Sequence, residues 1–363
     1  MILILVVLLL WTTGIVLIWR IPVCDGSDGT CSPGQLSVII PARNEAGNLP
    51  VLLKSILEQE DPPLEVIVVD DHSEDGTADV ARRNGARVLG SAPLPPGWTG
   101  KTWACHQGAA AAAGKYLLFI DSDTFFQDRG LPALLGSFHG GVLSLLPYHR
   151  IIKPHEELSA FFTISMMMGI GAFTVLGDRT SPTGLFGQSM LVEAEDYRKA
   201  GGHREVKGRI LENFFMAGNF RKLGIKLHCR GGRGSLGMRM YPGGIAQLAS
   251  GWSKAFVSGA ASAPPLLTAL TSLWMSGAVI AAIMALLAVP YGRPCWFLPY
   301  FLYSIQTWSI LRRTGSFGLL TSLLYPVPLL FYFWLFFRAL FMRLTRRSVT
   351  WKGRQMGSAK GRD

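Results

Sequence analysis

The sequence predicts an α/β domain built on a mostly parallel sheet and flanked by apolar segments long enough to cross a membrane. Strand-like and helix-like runs alternate in βαβα order, which implies a largely parallel sheet. Two of the apolar strands end in carboxylates. Of 363 residues, 49% are hydrophobic and only 16% charged, a composition more apolar than a soluble domain usually shows.

Ile2 to Trp19 is uncharged and about as long as a bilayer-crossing helix. It lacks a basic leader and a small-residue cleavage site, and Arg20 follows it, so residues 1–20 are expected to be an uncleaved anchor with the next domain in the cytosol. After a Gly/Ser/Asp linker, Leu36 to Ile40 reads as a strand broken by Pro41, Leu49 to Gln59 as a helix and Glu65 to Asp71 as a strand. Thr77 to Asn84 is expected to be helical, Arg87 to Leu89 a short strand, and Thr102 to Ala113 an alanine-rich helix ended by Gly114. The strand to Asp121 follows. The globular region is expected over 37–264.

Leu158 to Leu176 is apolar, but a single crossing there would separate Asp121 and Asp123 from the polar block around Glu212. A buried or interfacial helix is expected instead. Pro265 to Val289, Cys295 to Leu311 and Gly318 to Met342 complete a membrane region over 265–342. Two crossings, with the middle run interfacial or re-entrant, keep the basic tail 343–363 cytosolic. A transporter is disfavoured, because Pro265 to Val289 contains no ionisable residue.

The net charge is +11, and seven basic residues lie in that tail (Arg343, Arg346, Arg347, Lys352, Arg354, Lys360, Arg362). No nucleic-acid-binding motif accompanies the charge, so anionic lipid is the simpler partner. Cys24, Cys31, Cys105, Cys229 and Cys295 show no metal spacing, and a cytosolic location predicts free thiols. His106, His149, His203 and His228 show no ligand spacing either and read as structural.

The most informative stretch is Lys115-Tyr-Leu-Leu-Phe-Ile-Asp121-Ser-Asp123. An apolar strand that delivers two carboxylates one residue apart offers oxygen donors to Mg²⁺ or Mn²⁺, with positions left for substrate phosphates, although Asp-Ser-Asp alone also reads as a turn. Ser37-Val-Ile-Ile-Pro41-Ala-Arg-Asn-Glu45 ends a strand in a polar cluster that can bind a base or ribose, or cap a helix. Val66-Ile-Val-Val-Asp70-Asp71 delivers further acids to the same sheet edge, where they can accept from ribose hydroxyls or a base N–H. Gly100-Lys101-Thr102 puts a cation and free helical N–H groups where a diphosphate can sit, or is a surface lysine.

Together these residues resemble the donor half of family 2 glycosyltransferases, inverting enzymes of the GT-A fold. More narrowly, Gly100 to Gly108, Arg239-Met-Tyr241, Gly251-Trp-Ser-Lys254 and Trp351 to Gln355 resemble membrane-bound carotenoid glycosyltransferases that glucosylate diaponeurosporenoic acid. The resemblance implies that Pro41, Glu45, Asp70 and Asp71 hold the nucleoside, Lys101 the diphosphate, and Asp121 and Asp123 the nucleoside diphosphate and its metal. It further implies a nucleotide-sugar donor such as UDP-glucose, a lipid acceptor, and a multi-pass protein of the cell membrane with a cytosolic catalytic domain. Many members carry Glu-Asp where this chain has Glu212-Asn213, with the Asp as general base; an amide cannot take that proton. Either Glu212 becomes the base or the acceptor arrives ionised, as a carotenoid carboxylic acid or a lipid phosphate does. Trp252 resembles the family's acceptor-site tryptophan, but the preceding Arg is missing and Lys254 follows; an interface anchor is the alternative. Arg239 either binds diphosphate or caps the glycine-rich loop from Gly231 to Gly244. A noncatalytic scaffold with a nucleotide-binding fold is the reading from another class, favoured only by Asn213.

Overall fold

The computed structural model describes residues 1–26, 29–209, 211–259, 264–344, 349–351 and 354–356, without side chains at 254–259 and beyond 342. It divides into two units, Ile21–His149 with Asp178–Arg239, and Met1–Arg20 with Arg150–Gly177 and Met240–Asp363. The domain expected over 37–264 therefore yields Arg150–Gly177 and everything from Met240 to the second unit. Those stretches are apolar and pack on apolar partners there: Phe162, Leu248 and Trp252 share one buried cluster with Leu335.

The first unit is built on β1 (Leu36–Ala42), β2 (Glu65–Asp70), β3 (Arg87–Gly90), β4 (Tyr116–Ile120), β5 (Thr124–Phe126), β6 (Val142–Leu146), β7 (Tyr148–His149), β8 (Ser189–Glu193), β9 (Leu227–Gly231) and β10 (Leu236–Met238). Seven strands form one sheet in the order β3-β2-β1-β4-β8-β6-β9. β8 runs against β4 and β6, and the other neighbours pair in parallel. Central strands of such a sheet are covered on both faces and so read as continuous apolar runs; β4 and β6 are buried along their whole length. A smaller sheet, β5-β10-β7, stands beside it.

Two boundaries differ from expectation. β1 continues through Pro41 to Ala42, because its pairing with β2 runs to Ala42↔Asp70 while its pairing with β4 has already ended at Ile39↔Phe119. Proline's missing N–H therefore falls where no β4 partner is waiting. The helix expected from Thr102 starts at Gly100, since Thr99 and Thr102 cap it reciprocally, and it ends at Ala111. Lys101 thus lies in its first turn.

The second unit is helical. Pro265–Ala288, with 24 residues, is the one described helix long and apolar enough to cross a membrane. Ile2–Leu17 has 16 residues, about 24 Å of helix, short of a bilayer core of about 30 Å. The Gly318 to Met342 run is split into Leu319–Leu323 and Pro326–Leu344, as a proline at a helix start permits. Leu158 to Leu176 contains a helix of 11 residues, Ala160–Ile170, buried on most sides. Glycines let the helices Ile2–Leu17 and Pro265–Ala288 approach: a Cβ on Gly14 would lie 2.4 Å from Trp274 Nε1, and one on Gly277 would lie 2.7 Å from Leu10 Cβ. The side chains of the basic tail and of the Trp351 to Gln355 motif lie outside the described ones.

Candidate active site

The C-terminal ends of β1, β2 and β4 meet at the point where the strand order reverses about β1, which is where open α/β sheets hold ligands. Pro41 lines the hollow that opens as β1 leaves β4. Just beyond, Asn44 and His72 adopt left-handed backbone angles, with φ of 53° and 55°, a conformation that Asn and His tolerate better than most residues. Bonds lace the two loops together. Asn44 N donates to Ser73 Oγ (2.9 Å), and Asn44 Oδ1 accepts from Glu74 N (2.9 Å). Glu45 N donates to Thr77 Oγ1 (2.9 Å), and Ala46 N to Asp75 Oδ2 (3.1 Å). Arg43 Nη1 donates to the Asp71 carbonyl (2.7 Å).

Asp71 is buried. Asp70 Oδ1 is also buried, with no hydrogen-bond partner among the described residues. This edge is a preformed wall with acceptor groups at Asp70, Asp71 and Glu45. The sequence marked the acids and read Asn44 as a helix cap; that Asn44, Ser73, Asp75 and Thr77 tie the two loops together is visible only in the structure.

At the end of β4 the groups are charged and close. Lys101 Nζ lies 2.7 Å from Asp121 Oδ1 and 3.1 Å from Glu212 Oε1, and donates to the Gly187 carbonyl at 2.9 Å. Burial opposes the ammonium, but Asp121 and Glu212 outweigh it and hold Lys101 above its ordinary range. Glu212 opens the helix Glu212–Lys222 and is 5% exposed. Asn213, beside it, donates from Nδ2 to the Phe186 carbonyl at 3.3 Å. The hollow around this cluster is also lined by Cys105, Ser189 and His203.

Asp123 is in the opposite state. Burial, then Asp121, then Glu45 push its carboxyl up to about 7, and Asp123 Oδ1 is buried without a hydrogen-bond partner among the described residues. No set of three His, Cys, Asp or Glu side chains gathers as a complete metal centre among the described residues.

Arg239 follows β10, and its backbone N–H reaches the Asp123 carbonyl at 3.4 Å. Trp252 belongs to the other unit, where it is 7% exposed, stacks on Phe162 at 4.7 Å between centroids and donates to Ser159 Oγ at 3.3 Å. Lys254 lies in the same helix, Ile245–Gly259, and its side chain is outside the described residues. Gly187 was not singled out in the sequence, and His203, which lines the hollow, was read there as structural. Their only traces were Phe186-Gly-Gln-Ser189 leading into an apolar strand, and Gly201-Gly202-His203.

The family model "Glycosyl transferase family 2" matches residues 37–156. A 4,4'-diaponeurosporenoate glycosyltransferase of Staphylococcus aureus strain MRSA252 is 32% identical over 334 residues, 90% of this chain and 89% of that relative. The chain belongs to glycosyltransferase family 2. The protein of the same name from strain USA300 is 31% identical with the same coverage. Among solved structures, a mannosyltransferase from Pyrobaculum calidifontis in complex with GDP-Man and Mn²⁺ aligns with a TM-score of 0.54 and 17% identity, covering 94% of this chain and 95% of that one. That likeness bears on the fold, which is an α/β fold of the GT-A type with a mostly parallel sheet. As a family 2 glycosyltransferase the protein is an enzyme, and the scaffold reading falls away.

Proposed function

We propose that this enzyme transfers glucose from UDP-glucose to the carboxylate of a carotenoid acid at a membrane surface, with inversion at C1. What supports the acceptor is the 32% identity that spans nine-tenths of the chain to a relative named for 4,4'-diaponeurosporenoate. The site's chemistry agrees. Asn213 cannot serve as a base, and Glu212 is engaged by Lys101. A carboxylic acid with a pKa of about 4 to 5, like that of a Glu side chain, needs no base at neutral pH.

Asp121 and Asp123 are the residues that would hold Mg²⁺ or Mn²⁺. Two carboxylates fit a hard cation that takes its other ligands from phosphates and water, and the orphaned Asp123 Oδ1 is an available oxygen. Such an ion, when bound, neutralises charge building on the leaving diphosphate. Lys101 supplies a second cation at the same place. Asp70, Asp71 and Glu45 accept hydrogen bonds from the nucleoside, and the laced loops keep them in place before it arrives. The acceptor carboxylate attacks C1, the bond from C1 to the diphosphate oxygen breaks with its electron pair leaving on the diphosphate, and no proton is exchanged. Arg239 is proposed as a further diphosphate contact, and Trp252 and Lys254 as acceptor-side residues.

The helix Pro265–Ala288 and the outward apolar side chains of the helical unit, among them Leu266, Leu286, Leu330 and Phe337, support a membrane-anchored enzyme, and Arg20 after the first apolar run together with the basic tail supports a multi-pass arrangement with the catalytic unit in the cytosol. The test is product analysis. Membranes containing the enzyme are given radiolabelled UDP-glucose with the carotenoid acid, the matching alcohol, or a polyprenyl phosphate, and the lipids are weighed by mass spectrometry. A glucose ester of the acid is expected. Full-rate transfer to the alcohol with none to the acid would sink the ionised-acceptor reading, and label on the phosphate would make a phospholipid-type acceptor the substrate.

A further inference from the structure

His203 lines the same hollow as Lys101 and Glu212, yet is only 1% exposed. The chain reaches it through Gly201 and Gly202, both with left-handed φ, 76° and 55°, and a Cβ on Gly202 would lie 2.6 Å from Tyr197 Cζ. The two glycines thus fold the chain tightly against that phenol. Tyr197 Oη accepts from the His203 backbone N–H at 3.1 Å and lies 2.9 Å from His203 Nδ1.

A phenol has one proton to give. Nδ1 is the one acceptor beside that oxygen among the described residues, so the buried phenol keeps a partner for its proton when Nδ1 is the unprotonated ring nitrogen. The imidazole's own proton then sits on Nε2, which makes no hydrogen bond to a described residue. Burial, Lys101 and His106 hold the ring's pKa down at about 3, so the ring stays neutral. With Nδ1 occupied and Nε2 protonated, it is no base.

We propose that His203 is a fixed hydrogen-bond donor, through Nε2–H, to an oxygen of the ligand held in this hollow, and that Tyr197 sets the tautomer that makes it one. The oxygen belongs to a hydroxyl of the transferred sugar or to the acceptor's carboxylate; only this choice rests on the proposed substrates.

The test uses the full-length enzyme in membranes with UDP-glucose and the carotenoid acid. H203F removes the donor but keeps a ring against Phe119, whose centroid lies 4.9 Å away. It is expected to raise one KM about tenfold, while H203Q, whose amide N–H reaches the place of Nε2–H, restores most of the loss. A rise in the donor's KM, with slower UDP-glucose hydrolysis when acceptor is absent, assigns the sugar hydroxyl; a rise in the acceptor's KM alone assigns the carboxylate. Y197F added to H203F should raise that KM no further. Equal losses in H203F and H203Q, no change in either, or additive losses with Y197F would overturn the proposal. Nitrogen-15 shifts of His203 in the unaltered protein need no substrate and no variant. A pyridine-type Nδ1 is expected and the opposite tautomer refutes the inference, whatever the substrates prove to be.

Discussion

At the ends of β1 and β2 the acids sit in loops tied by hydrogen bonds between Asn44, Ser73, Glu45, Glu74 and Thr77, whereas at the end of β4 a lysine is shared by two carboxylates and a third acid, Asp123, keeps one buried oxygen without a partner among the described residues. The loops of the first edge are tied down before any ligand arrives, although Asp70 Oδ1 is buried there without a partner among the described residues. The second is held by ion pairs instead, and its unpartnered oxygen, Asp123 Oδ1, lies beside the Asp121 carboxylate and costs free energy until something supplies a partner. Binding surfaces gain from being prearranged, and reacting centres from groups whose best partner is the ligand. On this view substitutions at β4 change turnover greatly and stability little, and those at the β1 and β2 loops do the reverse.

The largest effect is expected for Asp123→Ala. Several kcal/mol of charge stabilisation are at stake, and each 1.4 kcal/mol is tenfold in rate, so transfer should fall by at least about 100-fold. The thermal midpoint should hold or rise, because a buried oxygen without a partner among the described residues is removed. Substantial turnover by purified D123A would break the contrast between the two edges.

Next comes the Lys101 cluster. Lys101→Met leaves Asp121 and Glu212 (side chain 6% exposed) facing each other without their cation. With the lysine side chain 35% exposed, screening limits the cost to about 1–2 kcal/mol of stability. Glu212→Gln in that background should recover much of it, giving a coupling of about 1–2 kcal/mol in a double-mutant cycle read by denaturant unfolding. Additive effects would show that the ion pair does not hold in solution. Activity should be lost in K101M and not recovered in the double variant, which separates Lys101's service to the fold from its service to the diphosphate.

These two edges were unequally legible. Apolar runs ending in Asp70, Asp71, Asp121 and Asp123 follow from strand period and composition, so the parallel core of the sheet and its acids could be read directly. What the sequence hid depends on long-range pairing. Antiparallel β8 is a short apolar strand with no mark of its direction, and β5, β7 and β10 have only two or three residues each. Gly187, which accepts from Lys101, and Tyr197, which orients His203, act through a backbone carbonyl and a tautomer, and neither has a residue-type signature. The second unit misled for another reason: hydrophobic length was visible, but Pro326 and the close approaches at Gly14 and Gly277 determine which apolar runs become long helices and which pack as short ones.

A smaller effect follows from pH. The Asp123 carboxyl titrates near 7 in the folded protein and near 3.9 when unfolded. Between those values the folded state binds the extra proton, so this group's contribution to stability is present at low pH and declines as pH rises toward 7. Without divalent ions, the midpoint of the unaltered protein relative to D123N should fall between about pH 4 and 7 and level off above that. Metal binding must displace the same proton, so Mn²⁺ affinity, followed by calorimetry, should weaken up to about tenfold per unit below pH 7. A flat affinity over that range would mean that Asp123 is ionised from the outset.

The smallest change tests the prearranged edge. Thr77 is fully buried; its hydroxyl accepts from Glu45 N at 2.9 Å and donates to Asp75 Oδ1. Thr77→Val keeps the shape and removes both bonds, at a cost of about 1 kcal/mol each in stability. Loss of the tie between the two loops leaves Glu45 freer, so the donor's KM should rise about threefold to fivefold, in line with one weakened hydrogen bond. The kcat should stay near its original value, because no group at the end of β4 has moved. A fall in kcat larger than the rise in KM would show that the loops at β1 and β2 also position the reacting centre, and the division of labour between the two edges would have to be abandoned.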